Sequence, residues 1–334
     1  MKTSIIGGGC WGTALGAHLA KKGIETLIWA REPEVVSAIN KQHYNPKYLS
    51  EFKLPENLVA IGDCSKAIRE SNIIVLAIPS HVIRQFLELN KNSFLPGQII
   101  VGAAKGIEVD SLKSIYEIVD DIFPPNLKIQ YACIAGPSFA KEVLEEQPTA
   151  VVIAGRDAKI TIEIQKLINY NYLRAYRTSD LIGAEMGGAL KNVVAIATGL
   201  ADGIGFGLNT KAALVTRGLS EIQKIGVRRG AKPETFLGLS GLGDLILTCY
   251  GELSRNRTVG FRIGKGERLE DILSSLGQVS EGIITAKSAF NLIAKFGVEA
   301  PIFSEVYKIL YENKPHLKSL QDLLDRELRP EANE

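Results

Sequence analysis

Apolar residues fall into short, near-continuous runs through the first half of the chain and take up helical spacing in the second. The runs at Thr3–Gly7, Thr26–Ala30, Val59–Gly62, Ile73–Ile78, Ile99–Ala104 and Ile129–Ala135 are rich in β-branched residues. Runs of that length predict strands buried on both faces. Helical patterns lie between them, at Ala14–Lys22, Glu34–Asn40, Ser80–Asn90 and Leu112–Asp120. This alternation predicts an α/β architecture, a doubly wound parallel sheet. A further pair, Ala150–Ala154 and Tyr172–Thr178, is expected to extend the sheet around a helix at Ala158–Ile168. After Thr178 the strand pattern stops. Asp180–Gly199, Thr210–Lys224, Lys287–Phe296 and Pro301–Tyr311 all carry helical spacing. The expected organisation is a sheet domain over residues 1–179 and an all-α domain over 180–334. No short repeat or low-complexity segment interrupts it, and 329–334 reads as a polar tail.

The first strand runs straight into Gly7-Gly8-Gly9-Cys10-Trp11-Gly12, and a helix follows. Gly7, Gly9 and Gly12 fit G-x-G-x-x-G in the strand–turn–helix context that dinucleotide binding requires. Gly7 permits the tight turn, Gly9 lets a pyrophosphate approach the backbone, and Gly12 lets helix and strand pack closely. The helix start then offers free N–H groups and a positive dipole end. The first domain is therefore expected to be a Rossmann-like dinucleotide-binding unit. The second strand ends in Arg31 and Glu32. An acid at such a strand end takes a ribose 2′-hydroxyl, whereas a guanidinium suits a 2′-phosphate. Arg31 favours NADPH, and Glu32 leaves NAD as the alternative.

Composition narrows the class. The 334 residues, 46% of them hydrophobic, suffice for two cores. The 39 basic and 37 acidic residues nearly cancel, which gives no support for a nucleic-acid partner or an anionic membrane surface. Cys10, Cys64, Cys133 and Cys249 are scattered, without metal or disulfide-framework spacing, so no metal is expected. The apolar runs are too short to span a bilayer, and with a strand read from Thr3 no signal peptide is expected. The expectation is a cytoplasmic protein acting on a small molecule.

Other candidate ligand positions sit where loops follow strands. Ile78-Pro79-Ser80-His81, Lys105 in Ala104-Lys105-Gly106, and Gly136-Pro137-Ser138-Phe139-Ala140 all occupy that position, the ligand-binding edge of such sheets. In the helical half, Lys191 and Asn192 stand in an otherwise apolar helix. A lysine there snorkels, pairs or works; Glu185, six residues back, is not on its face. The runs Ala201–Gly207 and Gly238–Asp244 are glycine-dense, which implies close backbone packing or a ligand-lined loop. Ser254-Arg255-Asn256-Arg257 groups phosphate-compatible donors behind an N-cap serine.

Together, in order and over nearly the whole chain, these motifs resemble the bacterial-type NAD(P)-dependent glycerol-3-phosphate dehydrogenases. The carriers are the glycine loop, Lys105-Gly106, Gly136 to Glu142, Gly187 to Asn192, Asp202 to Gly207, Gly241 to Leu245 and Ser254 to Arg257. The resemblance implies interconversion of dihydroxyacetone phosphate and sn-glycerol 3-phosphate with NAD(P)H, which supplies glycerol 3-phosphate for phospholipid synthesis. It also implies a homodimer. Lys191 matches the family's acid/base, Lys105 its second active-site lysine, and Asp244 an orienting carboxylate. Lys105, Gly136, Ser138, Lys191, Asn192, Asp244, Thr248, Ser254, Arg255 and Asn256 match substrate positions. Trp11, Arg31, Lys105, Ala140, Arg255, Val279 and Glu281 match cofactor contacts beside Gly7, Gly9 and Gly12. Cys10 lies within the same loop, where members vary. Two other readings stand beside this one. A β-hydroxyacid or ketopantoate-type reductase shares the architecture and a catalytic lysine. A non-catalytic NADP-binding sensor would have no need of the Lys105, Lys191 and Asp244 set.

Overall fold

The computed structural model describes residues 2–276, 280–328, 330 and 331. Its first part alternates β1 (Lys2–Ile6), α1 (Cys10–Lys21), β2 (Glu25–Trp29), α2 (Pro33–Gln42), β3 (Leu58–Ile61), α3 (Cys64–Arg69), β4 (Ile73–Leu76), α4 (Ile83–Asn90), β5 (Ile99–Gly102), α5 (Ile115–Ile122) and β6 (Gln130–Ala135). Then come α6 (Ala140–Leu144), β7 (Thr149–Ala154), α7 (Ala158–Ile168) and β8 (Leu173–Thr178). The strands form one eight-stranded sheet in the order β3-β2-β1-β4-β5-β6-β7-β8. The order reverses between β1 and β4, and a doubly wound sheet opens its ligand crevice at that point. Strands β1 to β6 are parallel, and their apolar side chains fill cores on both faces.

The expectation of a parallel sheet needs one correction. β7 runs antiparallel to β6. Its connection contains only the five-residue α6. Such a helix advances about 7.5 Å, well short of a six-residue strand at about 20 Å, so the chain turns back instead of crossing over. The eleven-residue α7 then allows a full crossover, and β8 is parallel to β7. The helix expected over Leu112–Asp120 starts later, at Ile115. Ser114 and Glu117 form a capping box that sets its first turn.

The second part is helical: α8 (Leu181–Ile204), α9 (Leu208–Arg228), α10 (Asp244–Tyr250), α11 (Arg255–Gly264), α12 (Leu269–Leu276), α13 (Glu281–Phe296), α14 (Pro301–Tyr311) and α15 (His316–Leu324). The 24-residue α8 is buried almost all round and forms the centre of this core. It continues through Gly199 and Gly203 and stops at Gly205, whose φ of 98° is left-handed. The glycine-dense run after Leu200 is thus mostly helix. Its glycines serve close packing: a Cβ on Gly199 or Gly203 would overlap carbonyls of α11, and one on Gly260 or Gly264 would overlap carbonyls of α8. The two backbones therefore touch. The same contact places the start of α11 beside the middle of α8.

Candidate active site

The glycine loop is built as the motif requires. Gly7 leaves β1 at φ 120°, and a Cβ on Gly12 would overlap the Gly7 carbonyl. A Cβ on Gly9 would meet nothing within 4 Å, so the space above the start of α1 is open. Uncapped first-turn N–H groups beneath open space fit a dinucleotide pyrophosphate. The loop is held from behind by buried Asn45. Its Nδ2 donates to the Gly8 carbonyl at 2.8 Å and to Thr13 Oγ1 at 2.8 Å. Its Oδ1 accepts from the backbone of Lys47 and Tyr48. Cys10 opens α1, and Trp11 packs partly buried against the sheet core. Arg31, just past β2, is exposed, with its guanidinium 3.6 Å from Glu32 and Lys47 3.8 Å from the same carboxylate.

At the other side of the crevice, three elements bring two lysines onto one carboxylate. Asp244, 1% exposed, is the first residue of α10. Its Oδ2 accepts from Lys105 Nζ at 2.7 Å, and its Oδ1 accepts from Lys191 Nζ. Lys105 reaches in from the loop after β5, and Lys191 from the middle of α8. Lys191 Nζ also donates to Thr248 Oγ1 at 2.6 Å, and that hydroxyl donates to the Asp244 carbonyl at 2.6 Å. Lys105 Nζ donates to the Gly136 carbonyl at 3.3 Å, which also accepts from Ser138 Oγ at 3.1 Å. Lys191 does not snorkel: it is 5% exposed and held by fixed partners.

Burial dominates the chemistry of Lys191. Desolvation pulls its pKa from 10.5 down to about 7; the Asp244 charge opposes this, and the neighbouring Lys105 ammonium adds to it. A lysine at about 7 exchanges protons readily at neutral pH. An ammonium has three N–H donors. Asp244 and Thr248 take two from Lys191, leaving one for a ligand oxygen in the crevice.

The phosphate-compatible set lies at the start of α11. Ser254 is the N-cap, its side chain accepting from Arg257 N–H at 3.3 Å. Arg255 is the first helical residue, and its charge reaches Cys10 at the start of α1. Burial pushes the Cys10 thiol up, and Arg255 pulls against that shift. Asn256 Oδ1 accepts from Ser280 Oγ and from Gly282 N–H at 2.9 Å, which leaves its Nδ2 as a donor. Asn192 lies on the same side, buried, with its carbonyl beside Gly282. Glu281 opens α13 and accepts from Ser80 N–H at 2.9 Å and Ser80 Oγ at 2.5 Å.

The structure therefore gathers Lys105, Gly136, Ser138, Lys191, Asp244 and Thr248 into one cluster. Arg255, Asn256 and Asn192 stand beside the start of α13, and Ala140 opens α6. Arg31 stands apart at the end of β2, where the far end of a dinucleotide would lie. Val279 lies outside the described residues. Sequence reasoning missed Asn45, whose only local signal is the turn before Pro46. It also missed Tyr131, which donates to half-buried Glu185 at 2.5 Å. Neither has a motif, because each acts through a partner distant in sequence. Among the described residues, no group of three or more His, Cys, Asp or Glu could hold a metal ion, and no helix is long and apolar enough to cross a membrane.

Likeness to known proteins runs over nearly the whole chain. Residues 2–161 match the family model described as NAD-dependent glycerol-3-phosphate dehydrogenase N-terminus, and residues 180–321 match its C-terminus counterpart. A glycerol-3-phosphate dehydrogenase [NAD(P)+] from Leptospira biflexa is 47% identical over 99% of this chain and 100% of its own. One from Geobacter sp. strain M21 is 46% identical over 99% of both chains. The crystal structure of glycerol-3-phosphate dehydrogenase from Coxiella burnetii superposes with a TM-score of 0.92 at 33% identity, covering 97% of this chain and 99% of that one. A ketopantoate reductase from Ralstonia eutropha, at 13% identity and a TM-score of 0.60 over 97% of this chain and 100% of its own, shares the fold alone. With both halves of the family matched in order and relatives alike from end to end, the chain belongs to the NAD-dependent glycerol-3-phosphate dehydrogenases.

Proposed function

We propose that the Lys105–Asp244–Lys191 cluster interconverts dihydroxyacetone phosphate and sn-glycerol 3-phosphate, with Lys191 as the acid/base. The enzyme class and the NAD(P) requirement follow from family membership, as does the role of supplying glycerol 3-phosphate for phospholipid synthesis. The observation that carries the residue roles is a buried lysine near pKa 7, paired with a second lysine through one carboxylate. A nicotinamide dinucleotide held by the glycine loop would supply the hydride in reduction and take it in oxidation. As the ketone gains negative charge on oxygen, the remaining Lys191 N–H stands ready to donate its proton there. Lys105 polarises the same oxygen, and Asp244 holds both ammoniums in place. In the oxidative direction, neutral Lys191 takes the hydroxyl proton.

Arg255 and Asn256, with the Ser254-capped helix start, hold the substrate phosphate. Gly136, Ser138, Asn192 and Thr248 line the substrate side. Gly7, Gly9, Cys10, Trp11, Gly12, Arg31, Ala140 and Glu281 face the cofactor, and Lys105 and Arg255 stand where the two meet. The exposed Arg31 guanidinium at the end of β2, 3.6 Å from Glu32, is placed to meet a 2′-phosphate, which supports NADPH over NADH. We place the division between the cofactor domain, 1–179, and the catalytic domain, 180–334, in the segment between β8 and α8. A cytoplasmic homodimer completes the reading.

The test is oxidation of NADPH and NADH followed by absorbance, with dihydroxyacetone phosphate as substrate and dihydroxyacetone as control. Turnover confined to the phosphorylated ketone is expected. Equal turnover of both ketones would refute the phosphate role of α11 and move the chain toward the ketopantoate-type reductases.

A further inference from the structure

Glu185 is a carboxylate that the mechanism above does not use. It lies on α8, half-buried, with its side chain turned toward the sheet domain. Tyr131 of β6 donates to it at 2.5 Å, and the N–H of Tyr116, in the first turn of α5, reaches it at 3.3 Å. The Ser114 hydroxyl bonds to it as well. Three donors from two elements of the sheet domain thus converge on one side chain of the helix that carries Lys191. The fit is deliberate in the backbone too. A Cβ on Gly102, the last residue of β5, would overlap the Tyr131 hydroxyl, so only glycine lets that phenol cross to α8.

The connection reaches Lys105 by a short route. Glu185, Lys105, Cys133 and Gly188 line one narrow crevice at the sheet edge. A Cβ on Gly188 would touch the Lys105 stem at 3.5 Å, so α8 lies along that side chain. Glu185, Gly188 and Lys191 step around α8 by about 60° each. Glu185 therefore points at the sheet, Gly188 at the Lys105 stem and Lys191 at Asp244. Lys105 hangs from the sheet and Lys191 from α8, so their separation depends on where α8 sits over β5 and β6.

We propose that Glu185, gripped by Tyr131, is a positioning residue that sets the spacing of Lys105 and Lys191 on Asp244. The proposal rests on the catalytic reading above. Loosening the grip lets α8 drift from the sheet edge, and the two ammoniums then separate. Their mutual repulsion falls, and Lys191 holds its proton to higher pH. The ionisable groups facing Glu185 are Tyr131, Cys133 and Glu117, with Lys105 beyond Cys133. Burial drives Glu185 up to about 7, while its donors hold it down. Its clamp is thus a shared hydrogen-bond set and not a fixed ion pair.

The experiment uses the whole protein. Lys191 is titrated by NMR of 13Cε-labelled lysine without substrate, its signal identified by its loss in Lys191→Ala, and kcat and KM are measured in parallel. Tyr131→Phe should raise the Lys191 pKa by about one unit and lower kcat about tenfold, with cofactor KM within about twofold. Glu185→Ala should act in the same direction and more strongly, and Glu185→Gln, which keeps an acceptor for Tyr131, should recover most of the wild-type pKa. If Tyr131→Phe folds and Lys191 titrates as in the wild type, the proposal is wrong, even if the melting temperature drops. If Glu185→Ala does not fold, Tyr131→Phe decides. The NMR titration needs no turnover, so a wild type inactive on dihydroxyacetone phosphate would overturn the functional reading without touching this test.

Discussion

Replacing Lys105 by alanine should move the pH limb of ketone reduction upward. In the reduction proposed above Lys191 must be protonated, and burial brings its pKa down to about 7. The wild-type kcat should therefore be flat below that pH and fall about tenfold per unit above it. The Lys105 ammonium is one of the forces holding that pKa down. It sits 2.7 Å from one oxygen of Asp244, and Lys191 binds the other. Two ammoniums sharing one carboxylate lie at most about 7 Å apart. At that distance and an effective dielectric near 20, unit charges repel by about 2.4 kcal/mol. At roughly 1.36 kcal/mol per pH unit, this is between one and two units. The limb of Lys105→Ala should then fall between roughly 8 and 9, above the wild-type value of about 7. Water admitted by the deletion relieves desolvation and shifts it the same way. The assay is single-turnover reduction across pH, with a deuterated hydride donor to show that the chemical step is being observed. Oxidation should show the mirror image, rising through the same limb. A limb that stays near 7 or moves down would refute the electrostatic coupling of the two lysines.

Other perturbations probe other parts of the site. Arg255→Ala should cost dihydroxyacetone phosphate a few kcal/mol in kcat/KM, as expected for a lost charge-assisted contact, while unphosphorylated dihydroxyacetone changes little; equal losses would remove Arg255 from the phosphate. Arg31→Asp should weaken NADPH far more than NADH in a fluorescence titration, and parallel losses would contradict a 2′-phosphate role. Gly260→Val puts a side chain where even a Cβ overlaps the Ile196 carbonyl. It should destabilise the fold by about 1–3 kcal/mol or more, seen in urea unfolding, and a neutral result would mean that α8 and α11 do not touch.

Much of this protein was legible before its structure. The β-branched runs predicted the strands because a strand covered on both faces has no polar alternative. Gly7, Gly9 and Gly12 were readable because their spacing is a local backbone requirement. Lys191 stood out because a lysine in an apolar helix demands an explanation, and Ser254 because N-capping is local. The direction of β7 was not legible. It depends on whether a connection is long enough to cross the sheet, which apolar periodicity does not report. The helices at α3, α6 and α10, of six, five and seven residues, cover two turns or fewer, too few for a periodic pattern to stand out. The clamp formed by Glu185, Tyr131 and Gly102 was invisible as well, since its partners are up to 83 residues apart, the span from Gly102 to Glu185.

The chain by itself thus determined most of the elements, the nucleotide loop and the two lysines that stood out as candidates for the chemistry. Each is a property of neighbours along the backbone, decided by sterics, capping and periodicity. Only the tertiary structure decided that Lys105, from a strand-end loop, and Lys191, from a buried helix, meet on one carboxylate. Only burial there could bring a lysine to about 7. Desolvation and Coulomb coupling act through space, and their size depends on which distant segments the packing of α8 against the sheet and α11 brings together.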